Sequence, residues 1–175
     1  MVTDARSISD RMLGALRLDV GTYEEVEKDK TATGQAAFIV VASSFVAAAG
    51  NALLRGGEAN AGFTVAIVEL VGWALYAWIA FFVGTKIIPG KDTKSDWGEV
   101  ARTLGFANTP RFLLIFVALP GFTGLVRSVV SLWILVATVV ALQSALDVST
   151  GRAVAVGLIS WLAQLVLIVA FVSFA

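Results

Sequence analysis

The chain has neither cysteine nor histidine among its 175 residues. It can therefore form no disulfide, thiolate nucleophile or imidazole metal ligand, and no catalytic triad built on a histidine base. Charge is also scarce: Lys, Arg, Asp and Glu make up 15% of the chain, and 13 basic residues balance 13 acidic ones. A net charge of zero without a basic stripe excludes the electrostatic footprint of a nucleic-acid-binding protein. The first 30 residues hold no apolar run, being interrupted by Asp4, Arg6, Asp10, Arg11, Arg17, Asp19 and the stretch from Glu24 to Asp29. No cleavable signal is expected there, and insertion falls to later segments.

Apolar residues, in contrast, make up 58% of the chain, with 16 glycines and a mean hydropathy of +0.84. This composition fits an integral membrane protein. The expected architecture is all-α: a polytopic membrane helical bundle of five transmembrane helices plus amphipathic interfacial helices. Residues 1–33 read as a cytoplasmic N-terminal amphipathic region and 34–175 as the five-span domain, with spans at about 36–54, 63–83, 112–126, 128–146 and 153–174. Each is about as long as the bilayer core demands, except 112–126, which is short and interrupted by Pro120-Gly121 and is read as a kinked crossing, the alternative being a re-entrant half-helix whose freed backbone groups are satisfied by neighbouring helices or water. In the first span Ser43 and Ala47, Ser44 and Ala48, and Ala47 and Asn51 lie four apart, the spacing that lets helix backbones approach closely.

Between the spans, Ser7 to Leu18 has helical periodicity, with Ile8, Met12, Ala15 and Leu16 opposite Asp10 and Arg17. Thr22 and Glu25 have capping-box spacing and predict the start of a second short helix. Asp96 and Glu99 predict a third start, after which Trp97, Val100, Ala101 and Leu104 share one arc while Glu99, Arg102 and Thr103 share the other. This pattern predicts a helix flat on the membrane surface, with Trp97 and Leu104 as its interfacial anchors. A cytoplasmic N-terminus then gives inside segments with five basic residues (Arg6, Arg11, Arg17, Lys28, Lys30), five (Lys86, Lys91, Lys94, Arg102, Arg111) and one (Arg152), against Arg55 and Arg127 outside. The positive-inside rule therefore places the N-terminus inside and the C-terminus outside.

Chemistry centres on Glu69, the one acidic residue well inside a span. An ionised carboxylate there must be paired, hydrated or protonated. The expected intramembrane polar cluster is Glu69 with Arg127 or Arg55 at the outer end, alongside Asn51 and with Tyr76 on the same helix face. Ser160 and Gln164 form a second, weaker polar stripe. One carboxylate without His, Cys or a paired acid supplies no nucleophile and base, so no enzyme, cofactor or metal site is expected. Two function classes follow. One is a non-enzymatic membrane-organising or protein-interaction role, with a docking surface around Tyr23 or Trp97; the other is a small transporter or channel using Glu69 in an ion or proton pathway. The expected partners are the lipid bilayer and a membrane or cytosolic protein, and the small-residue stripes are compatible with a homo-oligomer.

Gly105-Phe106-Ala107-Asn108-Thr109-Pro110 resembles the Gly-Tyr-x-x-x-Pro signature of the Yip family, five-span membrane proteins whose eukaryotic members interact with Rab/Ypt GTPases. Gly105, Phe106 and Pro110 are the matching family-motif positions, with Phe106 where Tyr is usual. Arg11-Met12-Leu13-Gly14 followed by Tyr23-Glu24-Glu25-Val26 resembles the family's N-terminal approach. Trp133 with Ala141-Leu142, Ser149 and Ala153 resembles its fourth-to-fifth span pattern. No Asp-Leu-Tyr-Gly-Pro motif precedes the first span, so the similarity is to the prokaryotic-type members and implies an inner or plasma membrane location.

Overall fold

The computed structural model describes residues 6–55, 61–91 and 93–174. It is all-helical across these residues. Two short helices, α1 (Ile8–Leu16) and α2 (Val20–Lys28), precede two long ones, α3 (Ala32–Arg55) and α4 (Ala61–Phe82). A π-helical turn, Val83–Ile87, ends α4; α5 (Trp97–Ala107) and a 3₁₀ segment (Thr109–Ala118) follow, and α6 (Thr123–Leu146) and α7 (Thr150–Phe174) complete the chain. Among the described residues four helices, Ala32–Leu54, Phe63–Ile87, Thr123–Leu146 and Thr150–Ser173, are long and apolar enough to cross a membrane.

The expected helix over 112–126 does not form. Pro110 opens a 3₁₀ segment, for which a missing N–H early in the helix costs nothing. Gly121, at φ +81°, makes the turn that ends it, and α6 begins at Thr123 and absorbs residues 123–126. Pro120-Gly121 is thus a corner between two elements and not a kink within one.

The surface placement of α5 is also corrected. Asp96 does cap it, accepting from the Glu99 amide at 2.9 Å while the Asp96 amide donates to the Glu99 carboxylate at 2.9 Å. Beyond that first turn, however, Val100 to Ala107 are buried, and α5 packs against α2, α3, α4 and α6. Leu104 belongs to the protein core at 2% exposure and is not an interfacial anchor. Trp97 is 38% exposed and turns its indole N–H to the Ala74 carbonyl of α4 at 3.4 Å. The polar arc that suggested a wet face is satisfied internally. The Arg102 guanidinium donates to the carbonyls of Val26 and Glu27, and the Thr103 hydroxyl to that of Glu99. Carbonyls at a helix C-terminus lack intrahelical donors and carry the negative end of the helix dipole, so Arg102 serves as the cap of α2.

The N-terminal helices likewise pack on protein instead of forming a separate collar. Leu18, at φ 59°, ends α1, and Asp19 takes the N-cap position of α2. The capping box expected at Thr22 is therefore absent. Thr22 is buried inside α2, where its hydroxyl donates to Asp19 at 2.7 Å and accepts from Arg6 at 3.0 Å.

Candidate functional site

Glu69 lies on α4, and its partner is Arg111, at the start of the 3₁₀ segment. Arg111 Nη1 and Nη2 reach the two Glu69 carboxylate oxygens at 2.7 Å each, a bidentate fork of the strong charge-assisted kind. The sequence places Arg111 in an inner loop, but α5 carries it into the bundle. Gly105 sits so close to α3 that an added Cβ would lie 2.5 Å from Ala36 Cβ, and the following turn brings Gly50 of α3 against the Leu114 carbonyl. The 3₁₀ segment thus runs alongside α3 toward its far end and carries Arg111 to the depth of Glu69. Phe106 is fully buried in the core, and Thr109 and Pro110 are buried as well. The three motif positions are therefore structural: Gly105 permits the close approach, Phe106 anchors it, and Pro110 sets the change of helix type.

The expected partners of Glu69 are engaged elsewhere. Arg127 donates to Asn51 Oδ1 at 2.5 Å, and Asn51 Nδ2 donates to the Ala47 carbonyl at 2.8 Å, so this pair ties α6 to α3 away from Glu69. The side chain of Arg55 lies outside the described residues. Tyr76 turns to α7 and donates to the Gly157 carbonyl at 3.1 Å; two turns along, Gln164 Nε2 donates to the Gly72 carbonyl at 2.8 Å. Ser160, between Gly157 and Gln164 on α7, is fully buried, and its hydroxyl makes no hydrogen bond among the described residues. Trp73 closes the other side of α4 by donating to the Ala101 carbonyl of α5 at 3.1 Å. Glu69, Trp73, Tyr76 and the Gly72 carbonyl are thus each spent joining α4 to a neighbouring element.

A second constellation was missed from the sequence. Arg11 is 1% exposed and joins three helices. Its Nη2 reaches Asp29 at 2.6 Å, its Nε reaches Glu25 at 3.1 Å, and its Nη1 reaches Gln35 at 3.0 Å. Burial alone would lower the Arg11 pKa, but the bonds and charges of Asp29 and Glu25 hold it above its ordinary value. Gly14 allows α1 and α2 to meet, since a Cβ there would fall on the Thr22 hydroxyl. Tyr23, expected at a docking surface, is fully buried with its hydroxyl 3.4 Å from the Ala15 carbonyl, and burial raises its pKa. Trp133, close to the middle of α6, donates to the Leu16 carbonyl at 3.0 Å. The available signal was the spacing Arg11, Gly14, Tyr23, in which each residue closes the α1–α2 hairpin or fastens it to the bundle.

Among the described residues no group of three or more His, Cys, Asp or Glu is placed to hold a metal ion. The family profile described as the Yip1 domain matches residues 18–171. No curated protein and no solved structure matches the chain.

Proposed function

We propose, given that this chain belongs to the Yip1 domain family, that it acts in the membrane without catalysis, organising the bilayer or holding a protein partner at it. It is a multi-pass membrane protein of apolar helices. The observation that carries the proposal is the closed Glu69–Arg111 fork. A carboxylate that holds both oxygens on one guanidinium is neutralised and used to join two elements, whereas a proton or ion relay needs a group free to exchange.

In the proposed arrangement the chain crosses five times, with α5 and the 3₁₀ segment together making the third crossing. Moving α5 and Arg111 into the bundle takes Arg102 with them and leaves Lys86, Lys91 and Lys94 in the middle inner segment. The inside then holds nine basic residues against Arg55 and Arg127 outside, so the N-terminus is cytoplasmic and the C-terminus outside. In a bacterial cell this is the inner membrane.

Reconstituted vesicles test the non-transport role. Neither the wild type nor Glu69→Gln should carry proton or cation flux above that of protein-free vesicles, while Glu69→Gln should lower the melting temperature. Flux carried by the wild type and abolished by the substitution would establish the pathway and overturn the proposal.

A further inference from the structure

The two sides of the bundle present apolar belts of different height. On α4 the exposed large apolar residues run from Phe63 to Phe82, about 30 Å along the axis and a full bilayer core. On α6 they run only from Leu125 to Val136, about 17 Å at the same rise per residue. Beyond Val136, α6 turns inward to the core at Ala137, Ala141, Leu142 and Ala145, and α1 and α2 pack over this side of the bundle, α2 against α6 itself.

The outward positions of that hairpin include Ser9, Asp10, Arg17, Asp19, Glu24 and Lys28, a surface unsuited to hydrocarbon. Its corner nevertheless lies against the middle of α6, where Trp133 holds Leu16. Charged groups fixed at that height require polar partners, and in a bilayer these come from headgroups drawn inward with local thinning.

The corner also holds a recess open to the surface. Arg6, Asp10, Leu13, Gly14, Arg17 and Asp19 line a recess of about 380 Å³. Arg6 is already engaged with Glu25 and Asp19, at 3.2 and 3.8 Å. Arg17 is exposed and makes none of the ion pairs found among the described residues. Asp10 accepts from the Ser7 hydroxyl at 2.6 Å through one oxygen and keeps the other open. Leu13 and Val20, 51% and 53% exposed, flank the corner as apolar contacts for acyl chains.

We infer that this recess binds a phospholipid whose headgroup pairs a phosphate with an ammonium, the phosphatidylethanolamine class, and thereby holds the leaflet on the N-terminal side thin beside α6. Arg17 takes the phosphate as a charge-assisted fork, and Asp10 takes the ammonium. A purely anionic headgroup would leave Asp10 facing negative charge, and the open carboxylate oxygen of Asp10 accepts from an ammonium with N–H donors but not from a quaternary one, so the site selects the ethanolamine zwitterion. The inference deepens the membrane-organising reading and rests on the membrane placement proposed above.

Two measurements on the full chain test it. In native mass spectrometry of protein released from bilayers of phosphatidylethanolamine and phosphatidylglycerol, the wild type should retain phosphatidylethanolamine in preference. Arg17→Gln should weaken retention of both lipids about tenfold, the loss of one charge-assisted contact, and Asp10→Asn should remove the preference alone. Equal retention by wild type and Arg17→Gln, or a wild type that prefers phosphatidylglycerol, would overturn the inference. Both positions are exposed, so the variants should fold. A spin label on Leu13→Cys, unique in a chain without native cysteine, should report headgroup depth. A label in bulk water would remove the membrane placement itself, whereas a label at headgroup depth without retained lipid would remove only the headgroup site.

Discussion

Ala36 and Gly105 meet across the α3–α5 contact with no space for another carbon: a Cβ on Gly105 would lie 2.5 Å from Ala36 Cβ and 3.0 Å from its Cα. Gly105→Ala should therefore cost about 1–3 kcal/mol by overpacking, read as a lower melting temperature in detergent, and Ala36→Gly in the same chain should recover much of it. A Gly105→Ala protein as stable as the wild type would show that α3 and α5 can separate freely. Glu27 provides a second test at this scale. Burial, reinforced by the nearby carboxylates of Asp147, Glu99 and Glu24 and opposed by Lys28, raises its carboxyl from the ordinary 4.5 to about 7. The folded protein then binds more protons than the unfolded chain between those values. Its stability contribution is full below about pH 4.5 and is lost as pH rises toward about 7. Asp29, held low by its bond from Thr31 and then by Arg11, acts in the opposite sense, its contribution fading only as pH falls below the ordinary 3.8. The stability difference between wild type and Glu27→Gln should therefore shrink or reverse from pH 4.5 to 7, and a difference constant across that window would contradict the burial of Glu27.

Among the elements, the α1–α2 hairpin is the one whose attachment is most separable. It is held by Arg11 to α3, by Arg102 from α5 and by Trp133 from α6. Trp133→Phe removes the indole donor and keeps most of the ring. Amide exchange in α1 and α2 should then rise about 3- to 10-fold while α3 and α4 are unchanged, as expected for loss of one hydrogen bond to a locally opening unit. Uniform acceleration across all helices would instead mean that the hairpin and the bundle open together. This element also separates what was legible in the sequence from what was not. The helices α3, α4, α6 and α7 announce themselves as long apolar runs, and the α5 cap is local, with Asp96 and Glu99 three residues apart. The Thr22 box misled because a positive φ at Leu18 lets Asp19 start the helix three residues earlier. The depth of α5 was hidden for a different reason. A polar arc on a helix reads as a wet face, but the carbonyls that satisfy Arg102 come from α2, 75 and 76 residues away in the chain.

For the whole molecule, the depth of α5 and the partner of Glu69 are decided together. With α5 on the membrane surface, Arg111 counts as an inner-loop cation and Arg127 is left as a partner for the carboxylate. With α5 inside the bundle, Arg111 arrives beside Glu69 across 42 residues of sequence, and Arg127 is free to meet Asn51. Sequence patterning carries no information on such a pairing, because Arg111 follows Pro110 at a helix change whose direction depends on the Gly105–Ala36 and Gly50–Leu114 approaches. The result is a bundle in which two short elements, α5 and the 3₁₀ segment, pack among the long helices and are fastened to α4 by one ion pair.

A double-mutant cycle on Glu69 and Arg111 tests this arrangement most directly. Arg111→Gln leaves a carboxylate unpaired within the bundle and should destabilise by about 3 kcal/mol, the scale for an uncompensated charge at membrane depth. Glu69→Gln should cost a similar amount by stranding the guanidinium, and the double variant should be more stable than the sum of the two losses by at least about 1 kcal/mol. Additive losses at Glu69 and Arg111, with coupling appearing instead between Glu69 and Arg127, would contradict the account.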